Sequence, residues 1–224
     1  MTVIALTSIP PRFATLGAHL EALLAQRPAR LCLTLPHRYL RFPDWDGVLP
    51  PLPEGVELLR DEDLGPATKF RAVFARYAQA DVLIADDDCR YGPGWLTAFE
   101  TARRAHPNAA LAASSFDSAR LGLPPGHTIV QGFGGVLLRP ADLGPMDQGP
   151  GGAAIWVDDI WLSARIARAG LPIVPCPEAR AAVAPVDAPA ALQDALIEGE
   201  PRAILNRRAA KELQTRLGIW QHPA

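Results

Sequence analysis

Val82-Leu83-Ile84-Ala85-Asp86-Asp87-Asp88 passes from a short, partly β-branched apolar run straight into three consecutive carboxylates. Asp81 precedes the run, and Gly92-Pro93-Gly94 follows it as turn residues. An apolar stretch of this length between such bounds reads as a strand buried on both faces of a parallel sheet. Ligands of open α/β sheets bind beyond the carboxyl ends of the strands, where these aspartates stand. Crowded carboxylates raise one another's pKa unless a cation sits among them. In extended chain Asp86 and Asp88 project to one side and Asp87 to the other. A carboxylate pair of this kind suits a hard divalent cation, Mg²⁺ or Mn²⁺, which keeps its remaining positions for water and phosphate oxygens. A solvated acidic turn is the competing reading; the buried strand in front of the run favours the metal.

Working outward, residues 2–9 form a first strand. Phe13, Leu16, Leu20, Leu23 and Leu24 then mark an amphipathic helix to about residue 26. A strand at 31–35 stops at Pro36, and another follows at 56–59 after a loop rich in Pro and Trp. Gly65-Pro66 opens a helix with Phe70, Val73, Phe74 and Tyr77 inward, Pro being suited to a first turn. Further helices are predicted at 94–106, 158–169 and 201–217, and strands at 111–115, 128–131, 135–139 and 171–174. This alternation predicts an α/β fold, a doubly wound, mostly parallel sheet flanked by helices. The strands on either side of Gly132-Phe133-Gly134-Gly135 are too close for a helical crossover, so the sheet is expected to be mixed, with a glycine connection between two strands. At 224 residues one domain is expected, with a nucleotide-binding half at about 1–92 and an acceptor and catalytic half at about 93–224.

A net charge of −2 provides no basic footprint for nucleic acid. No apolar stretch reaches the length of a transmembrane segment, and the N-terminus lacks the positive region of a secretory signal. Cys32, Cys89 and Cys176 lie far apart, an odd and sparse set that fits reduced thiols and a cytoplasmic location.

Outside the aspartate run, several residues carry chemistry. The turn from Ser8 to Arg12 lacks G-x-G-x-x-G, which argues against a dinucleotide site. Arg12 stands at the ligand edge, as a phosphate partner or as an ordinary surface arginine. Asp61-Glu62-Asp63-Leu64-Gly65-Pro66-Ala67-Thr68-Lys69 brings a helix N-terminus to the same edge. Lys69 in that first turn is unfavourable unless an anion offsets it, and a diphosphate is one such anion. Asp61 or Asp63 is placed to hydrogen-bond a base or ribose, while Asp63 also suits a helix cap. The glycines at 132, 134 and 135 permit either close backbone approach to a ligand or a tight connection. Asp158-Asp159 opens a helix, where carboxylates are favoured in any case. With Trp156 and Trp161 beside it, the pair also fits sugar binding and general-base catalysis.

An acidic D-x-D after a central strand, a later glycine segment and an acidic pair opening a helix together resemble the GT-A glycosyltransferases. The resemblance runs from Thr7-Ser8-Ile9-Pro10-Pro11-Arg12 to His222. It implies that Asp86 and Asp88 bind Mn²⁺ or Mg²⁺ and the donor, with Ser8, Asp87 and Gly134-Gly135 also in the donor pocket. It implies that Val157-Asp158-Asp159 is the acidic motif whose last carboxylate is the base in inverting members, with Asp at 158 in place of the commoner Glu. His222 stands where some members place a metal-binding histidine. The implied substrates are a nucleotide-diphospho-sugar donor of UDP type and a glycan or other hydroxyl acceptor. Two alternatives share the fold: a nucleotidyltransferase acting on sugar phosphates, whose glycine-rich basic first loop is missing here, and a non-catalytic nucleotide-sugar or glycan binder.

Overall fold

The computed structural model describes residues 1–145, 149–186, 189–190, 196–197 and 199–221. In chain order the elements are β1 (Thr2–Leu6), α1 (Phe13–Leu24), β2 (Arg30–Pro36), β3 (Val56–Asp61), α2 (Thr68–Arg76), β4 (Asp81–Ile84), β5 (Cys89–Tyr91), α3 (Trp95–Ala105) and β6 (Ala110–Asp117). They continue with β7 (Thr128–Leu138), α4 (Asp158–Arg168), β8 (Ile173–Pro175), α5 (Pro177–Ala181), β9 (Val183–Pro185), β10 (Leu196–Ile197), β11 (Glu200–Pro201) and α6 (Arg202–Leu217). No helix among the described residues is long and apolar enough to cross a membrane.

Seven strands form one sheet in the order β3-β2-β1-β4-β7-β6-β8. Pairing is parallel from β3 through β4 and between β6 and β8, while β7 runs antiparallel to both neighbours. The sheet is therefore mixed and mostly parallel, as the alternation of elements predicts. β4 sits at its centre, against β1 on one side and β7 on the other.

Side-chain alternation divides two cores. Val3, Ala5, Val82 and Ile84 pack under α2, α4 and α6 with Phe70, Val73, Trp161 and Leu213. Ile4, Leu6, Leu83 and Ala85 pack on the opposite face with Leu16, Leu20, Trp95 and Phe99. All eight strand residues are fully buried, which explains why these runs are continuously apolar.

One expectation is corrected. Gly132-Phe133-Gly134-Gly135 does not connect two strands but lies inside the single strand β7. Ala112 pairs with Val136 and Ser114 with Gln131, so the four residues bulge opposite Ala113. Side-chain room explains the composition. A Cβ on Gly134 would stand 3.0 Å from Ala113 and Ser114, and one on Gly135, at φ +105°, would stand 2.8 Å from Trp95 and Phe99. The glycines let β6 and the α3 aromatics close on the bulge, and Trp95 donates from its indole N–H to the Gly134 carbonyl at 2.8 Å. Composition alone does not separate a bulge of this kind from a turn.

Candidate functional site

The alternation of β4 continues into the aspartates and decides what each one meets. Asp86 falls on the α2/α4 side, where Lys69 from α2 forms a short ion pair with its Oδ1. The same Lys69 ammonium lies 2.9 Å from Asp158 Oδ2 at the start of α4. Asp87 falls on the α1 side, ion-paired with Arg12 and accepting from the Ser8 hydroxyl at 2.5 Å. The chain turns at Asp87 and Asp88, so Asp88 does not rejoin Asp86 as strict alternation predicts; its Oδ2 lies 3.3 Å from Arg12. The cations that three adjacent carboxylates require are thus partly built into the chain.

Lys69 is buried, with a side chain 1% exposed. Burial alone would discharge it, but Asp158 and Asp86 outweigh that penalty and hold its pKa above the ordinary lysine range. The anion that offsets Lys69 in its helix turn is internal. What brings α2 and α4 this close is Gly65, at φ +60°, whose Cβ position would lie 2.2 Å from the Ile155 carbonyl oxygen. No side chain fits there.

Asp159 is anchored from two directions. Its Oδ1 accepts from the Gly132 N–H in the β7 bulge at 2.7 Å. Its backbone carbonyl accepts from Ser163 Oγ at 2.7 Å, and Ser163 in turn accepts from the Val130 N–H at 2.9 Å. Burial, and then the charges of Asp158 and Asp86, push the Asp159 carboxyl up to about 7. A carboxyl near neutrality can exchange a proton with a hydroxyl group.

These groups border a cavity of about 730 Å³ at the carboxyl ends of the strands. Its wall takes in Ser8, Asp63, Lys69, Asp86 to Asp88 and Asp158-Asp159. Gly134 and Gly135, by contrast, pack against β6 and α3, and the neighbouring wall is Gln131 and Phe133. Asp61 does not line the cavity either; it is held in an ion pair by Arg71. Asp63 accepts from the Leu40 N–H at 2.6 Å and the Gly65 N–H at 2.8 Å, shaping the approach to α2. Of the two tryptophans, Trp156 lines the cavity, whereas Trp161 stacks on Phe70 at 5.5 Å in the core. His222 lies outside the described residues.

Sequence reasoning missed Tyr91, Arg202 and Asn206. The Tyr91 hydroxyl accepts from the Asp86 N–H at 2.8 Å and donates to the Phe133 carbonyl at 3.1 Å, clasping the aspartate turn to the bulge. Nothing local in the sequence marks that contact, which joins residues of two separate strands. Tyr91→Phe strands a backbone donor and acceptor, so a loss of about 1–3 kcal/mol is expected in urea unfolding. A midpoint equal to that of the wild type would show the clasp to be dispensable.

A divalent cation fits the aspartate turn. Even with Asp159 protonated, Asp86, Asp87, Asp88 and Asp158 face only Lys69 and Arg12 as ion-paired cations. Asp88 has the most open side chain of the three aspartates, at 34% exposed, and Asp86 Oδ2 has no ion pair or hydrogen bond among the described residues. No group of three or more His, Cys, Asp or Glu ready to hold a metal occurs among the described residues. The protein would therefore supply two carboxylates and leave the other positions to water and phosphate oxygens, as Mg²⁺ sites commonly do.

No family model matches the sequence, and no curated protein matches it. Among solved structures, the crystal structure of HddC from Yersinia pseudotuberculosis, complexed with GMP-PN, aligns at a TM-score of 0.42 with 12% identity, covering 66% of this chain and 80% of that one.

Proposed function

We propose that the chain is a metal-dependent glycosyltransferase of GT-A type, moving a sugar from a nucleotide-diphospho-sugar donor to an acceptor hydroxyl. The observation that carries this reading is a pair of adjoining acidic groups on the cavity wall, with Asp86 Oδ2 and Asp159 Oδ1 both lying against Gly132. One is the Asp86–Asp88 turn, with carboxylate oxygens left over for a cation; the other is Asp159, fixed on the β7 bulge by the Gly132 N–H. Asp88 and Asp86 are the residues that would hold Mn²⁺ or Mg²⁺. When bound, the cation supplies Lewis-acid stabilisation of the departing nucleoside diphosphate. Asp159 accepts the acceptor's hydroxyl proton as that oxygen attacks the anomeric carbon, and Trp156 offers an aromatic face to a sugar ring.

The separate base distinguishes this reading from nucleotidyl transfer to a sugar phosphate. A phosphate nucleophile is already ionised and needs no base, whereas a hydroxyl does. The first turn also supports it. Arg12, in the turn after β1, is committed to Asp87, Asp88 and the Pro189 carbonyl rather than left free for a triphosphate.

The test is product identity from a panel of UDP-, GDP- and dTDP-sugars with Mn²⁺. Glycosyl transfer releases nucleoside diphosphate and a glycosylated acceptor, whereas slow donor hydrolysis releases nucleoside diphosphate and free sugar. Formation of nucleoside triphosphate on adding pyrophosphate would replace this reading with nucleotidyl transfer. Donor turnover is expected to vanish with EDTA and to fall strongly in Asp88→Asn. Full activity under both treatments would remove the metal from the scheme.

A further inference from the structure

Among the described residues four cations line the cavity: Arg12, Arg41, Lys69 and Arg202. Lys69 and Arg12 are bound to aspartates. Arg41 donates to the Ala190 carbonyl at 3.3 Å and packs over the Phe42 ring at 5.3 Å. Arg202, on the first turn of α6, has no ion pair or hydrogen bond among the described residues. Its charge acts on Asp159 at a distance, but its five N–H donors are held by no acceptor among the described residues.

Its neighbour one turn later, Asn206, borders the same cavity, and its Oδ1 is buried with no hydrogen-bond partner among the described residues. Buried amide oxygens are normally satisfied, so an orphan on a cavity wall calls for an external donor. Both residues belong to α6, which packs on α4 and therefore lies beside Asp159. Their station is the acceptor end of the cleft.

Charge narrows the choice of ligand. Asp86, Asp158 and Asp159 would repel an anion entering this end; Lys69 offsets the first two, and the Arg202 guanidinium, whose charge already acts on Asp159, is the cation there without an ion pair among the described residues. Arginine also matches carboxylate and phosphate geometry through paired N–H bonds. Resting on the glycosyl-transfer reading, we infer that Arg202 anchors an anionic group, a carboxylate or a phosphate, on the acceptor sugar, while Asn206 accepts from one of its hydroxyls. The acceptor is then an acidic sugar, such as a uronic acid or a sugar phosphate, and not a neutral hexose.

The experiment titrates wild type, Arg202→Gln and Arg202→Lys with glucuronate, glucose 6-phosphate and glucose, followed by ligand-observed NMR. At least one anionic sugar is expected to bind the wild type about ten- to a hundredfold more tightly than glucose. Which anion gains decides between carboxylate and phosphate. Arg202→Gln should erase the gap and Arg202→Lys keep part of it. Equal binding of all three sugars, or a gap that persists in Arg202→Gln, overturns the inference. Donor hydrolysis by the wild type is measured separately. Its absence alongside intact selectivity for the anion sinks the glycosyl-transfer reading and leaves the anion site standing.

Discussion

Asp159→Asn is expected to lose about 10²–10⁴-fold in turnover, the usual contribution of general-base catalysis, while donor affinity barely moves. The amide keeps an oxygen for the Gly132 N–H, so the bulge contact survives and only the proton acceptor is lost. Stability should move the other way. Folding raises the Asp159 pKa from 3.8 to about 7, so the folded state holds this proton more tightly than the unfolded one. The resulting contribution favours folding below the unfolded value and is lost as the pH climbs from about 4 to about 7. Above that window the native carboxylate is a strained, like-charge neighbour of Asp158 and Asp86, and the asparagine is not. Metal-free Asp159→Asn should therefore melt at or above the wild-type temperature at pH 8, with the difference shrinking at pH 4. A variant that binds donor and transfers at the wild-type rate would place the base elsewhere. One that no longer binds donor would assign Asp159 to the donor site.

Lys69→Met is expected to destabilise the fold by about 3–5 kcal/mol, the usual cost of removing one partner from a buried ion pair. Two carboxylates lose their shared cation: Asp158, 6% exposed, and Asp86, 28% exposed. For a chain of this length the loss corresponds to a fall of about 6–20 °C in melting temperature. Asp158→Asn should cost less, because Lys69 keeps Asp86. It should also reduce turnover less than Asp159→Asn, because Asp158 holds the lysine whereas Asp159 is the base in the proposed reaction. Calorimetric melting of the three variants, with nucleotide titration of each, separates the roles. A Lys69→Met protein that melts normally but loses nucleotide affinity would return Lys69 to the diphosphate.

The sheet and its ligand edge were legible because burial on both faces leaves a plain mark. Val82 to Ala85 are apolar without alternation, and Leu31 to Leu35 are broken only by Thr34, as strands covered on both faces require. Asp86 to Asp88 and Asp158-Asp159 were legible as candidate site residues because paired carboxylates are conspicuous next to such strands, and they line one cavity. Their partners were not. Whether Arg12 and Lys69 meet a ligand or an aspartate depends on distances between β1, α2, β4 and α4, which no local pattern encodes. The glycines of β7 were read as a connection because the sequence shows the missing side chains but not Trp95, Phe99 and Ala113 closing over them. Arg202 and Asn206 are ordinary helix residues until α6 docks on α4.

The antiparallel insertion of β7 has a consequence for how the chain must be made. β1 to β4 are complete once residue 84 has been synthesised, yet the free edge of β4 stays open until Thr128 and beyond have emerged to form β7. During that interval the buried apolar strand β4 presents unpaired N–H and C=O groups on its β7 side, a template for pairing with another nascent chain. Asp158 arrives later still, so Lys69 waits half-neutralised beside Asp86. Truncations ending between β4 and β7 should accordingly be the aggregating fragments of this protein, and chaperone demand should be concentrated there.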